Sequence, residues 1–80
     1  MRPTDLMNVL RARPFRPFRL VMSDGTVYEV RHPEIVIVAR STAVIGDPAP
    51  DSPEMAERYD IIGLAHIVRI DFLEQPTPAE

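Results

Sequence analysis

Phe18-Arg19-Leu20-Val21-Met22-Ser23-Asp24-Gly25-Thr26-Val27-Tyr28-Glu29-Val30 places two runs of strand-forming residues on either side of a turn. The register follows from which side chains would face one another. A two-residue loop at Asp24-Gly25 sets Leu20 against Glu29 and Phe18 against Arg31, so apolar side chains oppose charges. A three-residue loop with Gly25 left-handed sets Met22 against Thr26, Leu20 against Tyr28 and Phe18 against Val30. One face is then apolar, and on the other Arg19 meets Glu29. The second register is the expected one, and it makes the chain a β protein.

Upstream, Leu6, Val9 and Leu10 fall on one face of a short helix expected from Asp5 to Ala12 or Arg13, capped by Thr4 and closed by Pro14. Such a helix is too short to persist alone in water and must dock. The connector Arg13-Pro14-Phe15-Arg16-Pro17 is stiffened by its prolines. Downstream, His32-Pro33-Glu34 marks a bend, because Pro33 has no ladder donor. A side-chain bond from His32 or Glu34 to a backbone amide is expected there. Ile35-Val36-Ile37-Val38 reads as a strand buried on both sides or covered by a partner, and Ala43-Val44-Ile45-Gly46 as another. Residues 47–57 hold three prolines and the acids Asp47, Asp51, Glu54 and Glu57, and read as a mobile acidic loop. Tyr59-Asp60-Ile61-Ile62 and Ile67-Val68-Arg69-Ile70-Asp71-Phe72 complete the strands, with Gly63 to His66 as a tight connection. In the last strand Val68, Ile70 and Phe72 are expected on one face.

The elements sum to a mainly β fold, a short N-terminal helix followed by a small, strongly bent five-stranded antiparallel barrel. One domain is expected over residues 1–73, with the acidic loop at 47–57 and a disordered tail at 74–80. Eighty residues make one small core, and only 6% of them are aromatic. Setting loop and tail aside leaves roughly 60 residues to build it, so a homo-oligomer sharing strand edges is expected. The chain has no Cys, which removes disulfides, thiolate nucleophiles and thiolate zinc sites. It shows no signal-like or bilayer-spanning apolar run, so a cytoplasmic protein without membrane contact is expected.

At this point the residues resemble the Sm-like fold. The shared features are an N-terminal helix, a strand ending in Ser23-Asp24-Gly25, a bent second strand, and Ile61-Ile62-Gly63 before an apolar strand. A narrower resemblance is to small uncharacterised bacterial proteins, over residues 12 to 72. It rests on Arg13-Pro14-Phe15-Arg16-Pro17-Phe18-Arg19-Leu20, Ser23-Asp24-Gly25, Glu29-Val30-Arg31-His32-Pro33-Glu34 and His66-Ile67-Val68-Arg69-Ile70. The narrow resemblance implies no activity. The broad one implies ring oligomers and RNA binding at a pore or rim. Where that family carries its base-binding residues, this chain has His32-Pro33-Glu34 and Ile62 before Gly63, so no residue inherits the role.

Net charge is −3, but the chain is polarised, +3 over residues 1–40 and −6 over 41–80, and every basic residue is Arg. Arg11, Arg13, Arg16 and Arg19 cluster without an intervening acid around Phe15 and Phe18. They are the candidate anion- or RNA-binding residues; in the competing view the two Phe residues anchor the core and the Arg residues solvate its outside. His32 and His66 are far apart and lack metal-ligand spacing, and Ser23, Ser41 and Ser52 sit in turn contexts without a nucleophile elbow. No catalytic residue, metal or cofactor is expected, and the chain reads as a non-enzymatic, self-associating interaction or scaffold module. An Sm-like RNA-binding protein is the alternative.

Overall fold

The central hairpin folds in the register its side chains favour. The structure, a computed structural model, describes residues 1–73; the tail expected at 74–80 lies outside them. Strand β1 (Phe18–Met22) pairs with β2 (Val27–Val30) as Phe18 with Val30, Arg19 with Glu29 and Leu20 with Tyr28. Gly25 has φ +90°, the left-handed conformation the three-residue loop requires. The loop is closed by Met22 N–H on the Thr26 carbonyl at 2.8 Å and Gly25 N–H on the Met22 carbonyl at 2.9 Å. Thr26 N–H donates to Asp24 Oδ1 at 2.9 Å. Phe18, Leu20 and Met22 are buried, while Arg19 between them is exposed and lies 3.7 Å from Glu29.

Helix α1 (Pro3–Arg11) starts one residue before Thr4, the expected cap. Arg2 is the N-cap instead, with its N–H donating to Asp5 Oδ2 at 3.2 Å, and Pro3 takes the first helical position, where a missing donor is harmless. Leu6 and Leu10 are buried, each contributing about 1.5–3 kcal/mol. That docking sustains a helix too short to stand alone.

Among the described residues six strands form, not five, and they do not close into a barrel. After β2 come a 3₁₀ turn at Pro33–Ile35, β3 (Val36–Val38), β4 (Thr42–Ala49), β5 (Ser52–Gly63), a second 3₁₀ turn at Leu64–His66, and β6 (Ile67–Phe72). They make two antiparallel three-stranded sheets, ordered β2-β1-β6 and β3-β4-β5. The bend at Pro33 is there, but backbone groups close it: Ile35 N–H donates to the His32 carbonyl and Val36 N–H to that of Pro33. The expected side-chain bond of His32 or Glu34 to an amide is not among the bonds of the described residues.

The largest departure is at residues 47–57, expected as a mobile loop. They belong to the β4–β5 hairpin, whose ladder runs from Thr42 opposite Gly63 to Asp47 opposite Arg58. Beyond that pair the register shifts on either side of Pro48, which supplies no donor, and pairing resumes as Pro48 with Ala56 and Ala49 with Ser52. The prolines bend the ladder without ending it. A second departure concerns β6, where Met22 faces Ile67, Val21 faces Arg69 and Leu20 faces Ile70. Val68 is therefore an extra residue that resets the alternation. Ile67 and Ile70 both turn toward the core while Val68 is exposed, contrary to the single face expected for Val68, Ile70 and Phe72.

The core lies between the sheets under α1: Phe18, Leu20 and Val30 from the first, Val36, Ala43, Ile45 and Ile62 from the second, with Leu6, Leu10 and Leu64 sealing it. Among the described residues it buries no polar or charged side chain.

Candidate functional site

The four candidate arginines have different surroundings. Arg11 and Arg13 border a hollow of about 320 Å³ between α1 and β3, with Glu34 among its lining residues. Arg13 donates to the Leu10 carbonyl at 3.3 Å and that of Ala12 at 2.8 Å, finishing the helix C-terminus. The guanidinium of Arg16 lies 4.0 Å from the centroid of the Phe72 ring, a cation–π contact. Arg19 stands on β1 beside Glu29, which also accepts from Arg31. Phe15 and Phe18 pack together with ring centroids 5.9 Å apart, and Phe18 is wholly buried. Three of the four arginines thus have a local partner, and all four are exposed.

A cleft of about 550 Å³ opens between the end of β2 and the β4–β5 hairpin. Tyr28, Glu29, Arg31 and His32 form one wall, and Asp47, Arg58 and Asp60 stand on the other. Its two arginines are both engaged, Arg31 with Glu29 and Arg58 with Asp47 at 3.0 Å. Partial burial, and secondly the Asp60 carboxylate beside the hydroxyl, push the Tyr28 phenol above its ordinary range. Asp24, held below its usual range by the amide and hydroxyl of Thr26, belongs to the hairpin turn and not to this cleft. The cleft is a polar seam of three carboxylates and two arginines with one tuned phenol.

His32 lines this seam, whereas His66 lines a separate hollow with Asp24 and Gly63. Among the described residues no three His, Cys, Asp or Glu side chains are gathered to hold a metal ion. Ser23 and Ser41 serve the backbone of their turns, Ser23 N–H donating to the His66 carbonyl and the Ser41 carbonyl accepting from Leu64 N–H.

The feature with most surface chemistry is the outer side of the second sheet. Ile37 faces Val44 and Val44 faces Ile61, so the three form a row across β3, β4 and β5, with Tyr59 two residues along on the same side. Ile37, Ile61 and Tyr59 are 64%, 66% and 65% exposed. The inner-face neighbours Val36, Ala43, Ile45 and Ile62 fill the core. Among the described residues Ile35 to Val38 is therefore not covered on both sides: its Ile37 side is open. The sequence signal was present, since Ile-Val-Ile-Val and Ala-Val-Ile carry no polar residue to mark an outer face.

No helix among the described residues is long and apolar enough to cross a membrane. The chain matches no protein-family model, no curated protein and no solved structure, one of the Sm-like fold included.

Proposed function

We propose that the chain is a small, non-enzymatic, cytoplasmic module that associates with itself and serves as a protein-interaction or scaffold element. The observation that carries this is the apolar row Ile37, Val44 and Ile61 with Tyr59, open to solvent on a sheet whose other face is the core. A contiguous apolar patch of this kind on a small domain is characteristic of an interaction surface. The thin core adds weight, since covering part of the row with a second chain adds apolar contact to the thirteen buried side chains of the core. Light scattering and sedimentation equilibrium at micromolar concentrations test it: a mass above the 9.1 kDa of one chain is expected. A clean monomer at high micromolar concentration overturns it.

The Sm-like view of the fold rests on element order, a helix followed by strands with β6 returning to pair with β1. RNA binding through Arg11, Arg13, Arg16 and Arg19 has less support, because their partners divide them between a helix end, an aromatic ring and a cross-strand acid. No shift is expected with mixed bacterial RNA at about 50 mM salt, where electrostatic binding is strongest. A shift that Arg11→Ala and Arg13→Ala abolish would make RNA the partner.

A further inference from the structure

Strand edges decide where a second copy can join. The four edges are β2, β3, β5 and β6. β2 has four residues and β3 three, and short edges offer little to pair with. β6 is interrupted by the bulge at Val68, a device that blunts an edge. β5 keeps a regular ladder to β4 from Arg58 to Gly63, and β4 is its only partner among the described strands.

The backbone of β5 shows which groups are free. Leu64 N–H donates to the Ser41 carbonyl at 2.9 Å, one step beyond the pairing of Thr42 with Gly63. Hydrogen-bonded pairs alternate in an antiparallel ladder, so Ile62, Asp60 and Arg58 bond to β4. Tyr59 and Ile61 consequently aim their N–H and C=O groups off the open edge. Edge pairing about a two-fold axis must set these free groups against one another, which leaves the axis at a residue of β5.

Charge selects among those positions. An axis at Tyr59 sets Arg58 against Asp60 of the partner subunit and Asp60 against the partner subunit's Arg58. An axis at Arg58 opposes Arg58 to its own copy, and one at Asp60 opposes Asp60 to its own copy. An axis at Ile61 leaves both charges opposite apolar side chains, whereas the Tyr59 axis pairs both and sets Glu57 opposite Ile61 of the partner subunit. We propose that two copies of this chain join antiparallel along β5 with Tyr59 on the two-fold axis, making one six-stranded sheet and setting the two Tyr59 side chains beside each other on its outer side. The joint uses the β5 edge of both copies, so it closes at two. It rests on the self-association proposed above and names its edge and register.

The chain has no Cys, so a single introduced thiol reports its neighbour without ambiguity. At Tyr59 the two-fold related Cα atoms would be about 5.5 Å apart, within disulfide reach. Tyr59→Cys is expected to give a covalent dimer on mild oxidation, while Val68→Cys on the bulged edge stays single-chain. Arg58→Asp and Asp60→Arg should each weaken the homodimer about tenfold, and mixing the two variants should restore association as a heterodimer. The mixture also separates the joint from the Arg58 contact with Asp47 inside one chain, which mixing does not repair. A wild-type dimer with neither the Tyr59→Cys bridge nor rescue on mixing overturns this register and leaves self-association standing. A wild-type monomer overturns both, and a closed assembly larger than two overturns the two-fold joint.

Discussion

Two glycines show how much a single position can reveal before and after folding. Gly25 is legible from sequence, since a three-residue turn between those strands needs a left-handed residue, and its φ is +90° with open space around the missing Cβ. Gly46 gives no such sign. A Cβ there would stand 2.8 Å from Ala56 Cβ and 3.0 Å from both Ile35 Cβ and the Ile35 carbonyl oxygen. Gly25→Ala should lose about 1 kcal/mol, the cost of a methyl in left-handed backbone. Gly46→Ala should lose more, about 1–3 kcal/mol, because rigid neighbours must move. Urea unfolding midpoints of the two variants check that order. Tyr28 yields a pH prediction. Its phenol is raised above the ordinary 10.0 by burial and then by Asp60, so the folded chain holds the proton more tightly than the unfolded chain. This contribution is intact below pH 10 and declines as pH rises through the folded value. Tyr28→Phe should flatten the alkaline fall in unfolding midpoint, and an unchanged fall would show that Tyr28 contributes nothing to it.

At the scale of elements, what could be read in advance was whatever depends on neighbours in sequence. The β1–β2 register and the Arg19–Glu29 pairing follow from local side-chain opposition. The phase of β6 does not, because a bulge at Val68 is dictated by how the strand meets β1, a partner about fifty residues away. The β4–β5 hairpin was obscured for another reason. Pro48, Pro50 and Pro53 are strong loop signals, yet they lie beyond the Asp47–Arg58 pair, where shifts of register absorb the missing donors. Hydrogen exchange should display that junction directly. Amides of Ala43, Ile45, Asp60 and Ile62 are expected to be protected by the regular ladder, while that of Asp51 at the exposed tip exchanges quickly. Rapid exchange beginning at Ile45 would mean that the long hairpin opens as a unit.

For the whole molecule, the β class was legible, whereas the expected closed barrel gave way to two open sheets among the described residues, because closure depends on whether sheet edges meet, and no local pattern encodes that. The same edges govern stability. The described chain buries only thirteen apolar side chains as its core and leaves Ile37, Tyr59 and Ile61 in water. A second chain that covers any of that surface binds the folded form alone, because the unfolded chain presents neither a continuous β5 edge nor an assembled row. Association then raises the unfolding midpoint with protein concentration. The melting temperature should climb as the wild type is taken from low to high micromolar, and Arg58→Asp, whose homodimer joint opposes two pairs of acids, should show that climb only at about tenfold higher concentration. Equimolar Arg58→Asp and Asp60→Arg should recover the climb. A wild-type midpoint that does not move with concentration would mean that the core beneath α1 holds the fold without a partner, and that the outer row adds nothing to its stability.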